Sequence, residues 1–219
     1  MKTRLLFRGF VTAMGLCAIA AFSSGCSSSG RMDESEKAID SMTDVQDQLA
    51  VAKAKVTRVD AALDGLTTGG DLQKEFSEYT DALDDLQSAV ADAKEQGQEM
   101  RDHRKAYLDR WQEEADNMQN ADVKASLDAR RQKVADEFDK VHSLAEDVRT
   151  AYEPYMQDCL DIKKALSIDL TPEGAQALAP SITKAKAGGV TVIQKLDALS
   201  AEMDSAVGKM SPAGAAPAK

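Results

Sequence analysis

The chain has 219 residues, a net charge of −10 at pH 7, 5% aromatic residues, 13 glycines and 5 prolines. An acidic chain repels nucleic acid and anionic headgroups overall, which argues against nucleic-acid binding. The scarcity of aromatic residues, together with abundant alanine, aspartate, lysine and leucine, favours long helices over a sheet or a broad globular core.

The first 25 residues have the features of an export signal. Three basic residues precede an apolar run at 11–22 that is too short to span a bilayer. Small residues then lead to Cys26, an arrangement that resembles the bacterial lipoprotein signal. The resemblance implies acylation of Cys26 and, because Ser27 is not an aspartate, an outer-membrane anchor with the protein facing the periplasm. The alternative is an ordinary secretory signal that leaves Cys26 as a free thiol.

The cysteines support no intrachain disulfide. Cleavage before Cys26 would remove Cys17 and three basic residues, leaving 194 residues with a charge of −13. Only Cys159 then remains besides the anchor, so no disulfide is expected even in an oxidising compartment. Cys159 occupies an apolar position with no candidate base beside it, and we expect a buried structural thiol.

Residues 26–31 are expected to form the lipid anchor and a tether, and residues 32–210 a helical domain. In the first helix, apolar residues recur every seven positions in two series three residues apart, which is the pattern of a coiled coil. We call such an apolar stripe the seam of its helix, and here it consists of Met42, Val45, Leu49, Ala52, Val56, Val59, Leu63 and Leu66.

The second and third helices have seams with alternating steps of four and three residues, at 72–111 and 127–166. The third passes Pro154 without a change of phase, so a kink is expected there rather than an end. Thr171-Pro172-Glu173 restarts a fourth helix, in which Pro180 and the pair Gly188-Gly189 are the weakest points. The tail at 211–219 is expected to be disordered.

Heptad-spaced seams joined by short turns predict an all-α fold, an antiparallel up-down-up-down bundle of four long helices. The turns are expected at 67–71, 118–122 and 168–171. Since the second and third helices are the longest, the hairpin of residues 106–130 is expected to project beyond the four-helix part.

Two segments resemble a known group of proteins. They are YLDRWQEEADNMQNADVKASLDARR at 107–131 and EPYMQDCLDIKKALSIDL at 153–170. They are similar to lipid-anchored, helix-rich bacterial envelope proteins that are grouped only as a domain of unknown function. The resemblance implies an envelope location and no known activity, so it supplies no catalytic residues.

The end of the predicted hairpin is the best candidate for an interaction site. Residues 101–133 carry eight basic and seven acidic residues in an otherwise acidic chain. One interpretation is a docking tip for a partner protein or a lipid surface, where aromatic and arginine side chains are favoured. Its residues would be Arg101, Arg104, Tyr107, Arg110 and Trp111. The alternative is that both aromatic residues belong to the seam and that Arg104 reaches a carboxylate across the hairpin.

The sequence gives no indication of catalysis. His103 and His142 are the only histidines, and neither belongs to a His-x-x-x-His or Glu-x-x-His pair, so no metal site is expected. No phosphate-binding loop, serine elbow or zinc spacing occurs. We therefore expect no cofactor and no enzymatic activity.

Two functions fit these observations. The first is a scaffold or adaptor, held to the membrane by its lipid, that acts by binding another envelope protein or by spacing. The second is a carrier or holdase that shelters apolar ligands or unfolded chains between its helices. The weak seam positions Gly97 and Gly189 favour the second, because they would leave space.

Lys219 suggests a second attachment. A lipoprotein with acyl chains at one end and a terminal lysine at the other resembles the major murein-linked lipoprotein of enteric bacteria. The resemblance implies a bond from the lysine amine to peptidoglycan. The alternative is a lysine that stands at the end by chance.

Overall fold

The computed structural model describes residues 28–68 and 70–211. No strand occurs among these residues, and the predicted all-α class is confirmed. The helices are α1 (Ser28–Gly65), α2 (Leu72–Asp116), α3 (Ala121–Ile168), α4 (Pro172–Ala177) and α5 (Ala179–Met210).

Several sequence-based expectations fall at the ends of the chain. The signal segment 1–25, Cys26 and the tail residues 212–219, which include Lys219, lie outside the described residues. The helix α1 begins at Ser28, whereas the sequence pattern predicts a start at residue 32. Residues 28–31 of the expected tether therefore belong to the helix.

Polar side chains cap the helices at the predicted turns. The Asp71 carboxylate accepts hydrogen bonds from the first backbone N–H groups of α2, and the Asn120 side chain does the same for α3. The Thr171 hydroxyl accepts from Gly174 N at 3.1 Å, and Pro172 follows it in the first turn of α4. These bonds satisfy N–H groups that have no partner inside the helix, so each turn stops one helix and starts the next.

The four long helices α1, α2, α3 and α5 form a ring. The helix α1 packs against α2 and α5, and α3 packs against the same two helices from the other side. Polar pairs between neighbours run in opposite chain directions, as antiparallel packing requires. They include Gln46–Asp204 and Asp64–Lys186 between α1 and α5, and Asp147–Lys195 and Asp158–Lys184 between α3 and α5. The predicted up-down-up-down order is thus confirmed.

The predicted seams form the core, with one interruption. All eight seam residues of α1 are buried, as are Ile182, Leu196 and Met203 on α5. In the middle of α2 and of α3 the seam residues are only partly buried, among them Val90 and Val148. The core is therefore continuous along α1 and α5 and thin between α2 and α3.

The fourth predicted helix is divided. Residues 172–210 were expected to form one helix, but α4 ends at Ala177 and α5 begins at Ala179. Pro180 lies in the first turn of α5, where its missing N–H costs nothing, whereas inside a helix it would remove a hydrogen bond. At Pro154 the helix α3 continues without interruption, and the proline itself is exposed.

The hairpin of α2 and α3 projects past the end of α5. Arg130 Nη2 donates to the carbonyl oxygen of Lys209, next to the last residue of α5. The hairpin residues between this contact and the turn at 117–120 therefore extend beyond α5. At its own start, α1 is about one turn longer than the sequence predicts.

Two glycines at seam positions have opposite surroundings. A Cβ at Gly97 would meet only Arg101 Nη1, at 3.7 Å, so the position borders open space. A Cβ at Gly189 would lie 2.6 Å from Asp60 Oδ1 and 2.8 Å from its Cγ. The expectation that both glycines leave space is therefore right for Gly97 and wrong for Gly189, which allows α5 to approach α1 closely.

The two glycines should respond oppositely to alanine. Gly97→Ala should raise the free energy of unfolding by about 0.5–1 kcal/mol, because alanine favours the helix and meets no close neighbour. Gly189→Ala should lower it by about 1–3 kcal/mol, because the Asp60 carboxylate must shift. Urea titrations of both variants measure these changes, and shifts of the same sign would contradict the packing described for one of the two sites.

Candidate functional site

The helices α2 and α3 are joined at two places and separate between them. At one place Tyr79 OH donates to Cys159 O at 2.7 Å, and Lys163 pairs with Asp84. At the other place Arg104 pairs with Asp139, and Arg131 Nε donates to Leu108 O at 3.0 Å. Among the described residues, no hydrogen bond or ion pair joins residues 85–103 of α2 to α3. A side opening therefore lies between two fixed points.

A cavity of about 410 Å³ lies behind this opening, in the middle of the bundle. Residues from all four long helices line the cavity, and most of these residues are apolar. The apolar lining consists of Val45, Leu49, Ala52 and Val56 of α1, Leu86, Val90, Ala93, Gly97 and Met100 of α2, Phe138, Val141, Ala145, Val148 and Tyr152 of α3, and Val192, Leu196, Leu199 and Met203 of α5.

Small residues account for the position of the cavity. Ala93, Gly97 and Ala145 stand at seam positions of α2 and α3, where other turns of the same helices carry leucine, tyrosine or phenylalanine. Interiors of proteins are normally filled to the density of organic crystals. The small side chains leave a volume that the large residues of α1 and α5 do not fill.

The mouth of the cavity is mainly cationic. The charged residues of its wall are Lys94, Arg101, Arg104, Glu146 and Arg149, and His142 lies among them. Two of the cations are neutralised locally. Arg104 pairs with Asp139 and lies over the Phe138 ring at 5.4 Å, and Arg149 pairs with Glu146 and Glu153 at 2.8 and 2.7 Å. Lys94 and Arg101 have no carboxylate partner among the described residues.

The structure separates the five residues of the predicted docking tip. Arg101 and Arg104 line the cavity, and Arg110 pairs with Glu114 at 2.7 Å on its own helix. Tyr107 is buried, and its ring contacts Trp111 edge to face with centroids 5.6 Å apart.

Trp111 itself is partly buried against the core, and its indole Nε1 is buried without a hydrogen-bond partner. The contacts of both aromatic residues and of Arg104 are those of the alternative interpretation, in which the aromatic residues belong to the seam and Arg104 reaches a carboxylate across the hairpin.

A buried polar cluster fixes the helices beside the cavity. Tyr155 OH donates to Asp60 Oδ1 at 3.1 Å, and burial raises the pKa of the Asp60 carboxyl to about 6. Burial likewise raises the pKa of the Cys159 thiol to about 12, so the thiol stays protonated near neutral pH. Cys159 is buried as predicted. The cluster joins α1 to α3 and leaves no reactive thiolate.

No group of three or more histidine, cysteine, aspartate or glutamate side chains within residues 28–68 and 70–211 is arranged to hold a metal ion. None of the helices in this part of the chain is both long and apolar enough to cross a membrane.

Sequence reasoning identified Gly97 and Arg101 but not the site that they share. The sequence pattern predicts Ala93, Ala145, Leu196 and Met203 only as seam residues, and it does not indicate Lys94. The signal that could have found them is the coincidence of small residues on the facing seams of α2 and α3, within one stretch of each helix.

Comparison with known proteins places the chain in context. A family model described as "Protein of unknown function (DUF2959)" matches residues 30–211, from the first turn of α1 to the residue after α5. No curated protein and no solved structure matches the chain significantly.

Asp60 should make stability depend on pH. The ordinary pKa of an aspartate carboxyl is 3.8, and the pKa of Asp60 in the folded protein is about 6. The folded state therefore holds the Asp60 proton more tightly, and the contribution of Asp60 to stability should fall as the pH rises from about 4 to 6 and then level off. Asp60→Asn keeps an oxygen that accepts from Tyr155 but carries no charge. At pH 8 it should be more stable than the native protein by about 1 kcal/mol, after allowance for solvent screening of a half-buried group.

Urea titrations at pH 4 and pH 8 measure this difference. The groups that face Asp60 are Tyr155 of α3, Lys186 of α5 and Asp64 of α1. Lys186 lowers the Asp60 pKa and so opposes the effect of burial. The attraction between Lys186 and the Asp60 carboxylate is lost in Asp60→Asn, and the expected gain in stability allows for this loss. If Asp60→Asn gained less stability over the native protein at pH 8 than at pH 4, the assignment of the raised pKa to Asp60 would be refuted.

Proposed function

The chain belongs to the DUF2959 family of proteins of unknown function, and we propose that it is a carrier that binds an apolar ligand between its helices, without catalysis. The cavity of about 410 Å³ is the observation that carries this proposal. Ligand sites in proteins commonly measure about 300–1,000 Å³ and are lined mainly by apolar side chains. Apolar cavity walls take up apolar molecules, and an enclosed apolar cavity of about 150 Å³ already suffices for benzene.

The route of entry supports the same function. The opening lies between α2 and α3, the neighbours that share the least contact in the ring. Tyr79–Cys159 and Arg104–Asp139 hold the two helices on either side of it. A ligand would enter sideways through this opening, while both connections and the helical hydrogen bonds stay intact.

The proposed location is the bacterial outer membrane, on its periplasmic side. Its support is the resemblance of residues 1–26 to the lipoprotein signal. Acyl chains on Cys26 would fix the protein to the bilayer, since each buried methylene contributes about 0.8 kcal/mol. The membrane is then the first partner, and an envelope protein that delivers or receives the ligand is the second.

A scaffold or adaptor is the second candidate. Exposed apolar side chains at both ends of the α2–α3 pair favour it. Met118 and Val123 lie at the hairpin tip, and Ile168 and Leu170 lie at the opposite end, where Ile168 is 80% exposed. Exposed apolar side chains mark a contact with another protein where they form a contiguous patch.

Binding of an uncharged fluorophore tests the carrier. Trp111 is the only tryptophan, so energy transfer from it to N-phenyl-1-naphthylamine reports probe bound to the protein. We expect saturable transfer with the full-length protein in vesicles. Gly97→Phe should weaken binding at least about tenfold, because the new ring enters the cavity.

Ala91→Phe is the matched control, because Ala91 is exposed on the same stretch of α2. It adds the same ring outside the cavity and should bind the probe like the native protein. Absence of saturable transfer, or equal loss in both variants, would reject the carrier and leave the scaffold as the better proposal.

Lipidation has its own test. Cys26→Ala should leave an unprocessed precursor without acyl chains, because the modified thiol is the substrate of the processing that the resemblance implies. Metabolic labelling with palmitate and fractionation of the two membranes measure the outcome. Normal cleavage and unchanged fractionation of the variant would show that the anchor is not at Cys26.

A further inference from the structure

We propose that the ligand of the cavity is an anionic single-chain amphiphile, with its chain along the bundle axis and its headgroup at Lys94 and Arg101. This inference rests on the proposed carrier function and adds the chemical class of the ligand. It follows from three features of the cavity: the charge at its mouth, its length, and the near absence of polar groups inside.

Lys94 and Arg101 belong to the minority of cations in the described helices that have no carboxylate partner. The chain carries 27 basic and 37 acidic residues, and most cations of the described helices lie within ion-pair distance of a carboxylate. The Lys94 side chain has no hydrogen bond or ion pair to any described residue, and the Arg101 side chain donates only to Gln98 Oε1, from Nε at 3.2 Å and from Nη2 at 2.7 Å. The two cations therefore remain available for an external anion.

The geometry directs these cations to the cavity. Lys94 and Arg101 are seven residues apart on α2, so they lie on one face of the helix. Both belong to the cavity wall, as does Gly97 between them. Arg101 Nη1 lies 3.7 Å from the place that a Cβ of residue 97 would occupy, so the guanidinium extends along the wall where the glycine leaves it open.

The facing helix α3 does not cancel this charge. Besides Tyr152, its polar residues in the wall are His142, Glu146 and Arg149, and Glu146 is the single carboxylate there. Arg149 Nη2 lies 2.8 Å from Glu146 Oε2, so this carboxylate is already neutralised. An anion at the mouth would thus meet two unpaired cations, whereas a cationic headgroup would be repelled.

The shape of the cavity suits one linear chain. Its lining extends from Leu86 to Arg104 on α2 and from Val45 to Val56 on α1, or roughly 27 and 16 Å at 1.5 Å per residue. Met100 and Met203 lie in the wall, and their flexible side chains adapt to chains of different length. A long space of limited volume accommodates an acyl chain better than a compact ring system.

The apolar interior argues against a peptide as the occupant. Each residue of a polypeptide carries an N–H and a C=O that need partners when they are buried. The charged and histidine side chains of the wall are exposed, except for the partly buried Arg104, and the rest of the wall is aliphatic or aromatic apart from the Tyr152 hydroxyl. A hydrocarbon chain makes no such demand, and its charged end can stay at the mouth.

Competition against N-phenyl-1-naphthylamine tests the inference. The competitors share one chain and differ in the headgroup: dodecanoate, dodecyl phosphate, dodecanol and dodecylamine. They are added to the full-length protein in vesicles, and each is corrected for its partition into protein-free vesicles. We expect the two anions to displace the probe at concentrations about tenfold lower than dodecanol, and dodecylamine to be the weakest. The order of dodecanoate and dodecyl phosphate identifies a carboxylate or a phosphate headgroup.

The variant Lys94→Gln/Arg101→Gln should abolish the preference for anions and keep the binding of dodecanol. Lys133→Gln/Lys164→Gln is the control, because it removes the same charge from two exposed lysines outside the cavity. It should keep the preference. Equal displacement by dodecanol and dodecanoate, or loss of the preference in both double variants, would overturn the inference while the carrier function stands. Failure of the native protein to bind the probe at all would instead reject the carrier function itself.

Discussion

Apolar side chains that recur every three or four residues hold the four long helices together, and the other features follow from where this seam is full and where it is thin. On α1 and α5 the seam is buried along its whole length. On α2 and α3 it is full near Tyr79 and Phe138 and thin around Ala93, Gly97 and Ala145. Large residues at two levels hold the helices apart, and small residues between these levels cannot close the space, so the cavity is a consequence of the sequence of side-chain sizes.

The polar cluster of Asp60, Tyr155 and Tyr79 also determines how the helices are held together. A carboxyl with a raised pKa in the core lowers stability at neutral pH, so its cost must be offset by the packing around it. The absence of a side chain at Gly189 allows α5 to lie against Asp60, and Tyr155 and Tyr79 connect α1 and α2 to α3. The cluster thereby holds the helices together at one end of the ring. Because this end is fixed, α2 and α3 can separate around the cavity without loss of the antiparallel order.

The sequence predicted the elements well because their causes are local. Heptad spacing, the capping residues Asp71 and Thr171 and the turn at 117–120 depend on neighbours within a few positions. The cavity depends instead on residues of four helices that meet only in the fold. Gly189 shows the difference, because its role depends on Asp60, which is far away in sequence. The sequence pattern therefore predicts open space where the structure has a close contact. For the same reason Arg101 was assigned to the tip, although its side chain lies along the cavity wall.

The proposed lipid anchor and the proposed ligand are related through two quantities, the distance of the cavity from the membrane and the charge at the mouth of the cavity. The cavity residues of α1 begin at Val45, which is about 25 Å along the helix from Ser28. With the proposed anchor at Cys26, a ligand held there would be away from the membrane, so the cavity would have to retain an amphiphile that a bilayer also attracts. Apolar contact alone gives little advantage over lipid, because both surroundings are hydrocarbon. Unpaired cations at the mouth supply an attraction that an acidic surface elsewhere does not offer, and salt weakens it over distances beyond about 8–10 Å. The cationic mouth is therefore the feature that would make this cavity a selective site for an anionic amphiphile.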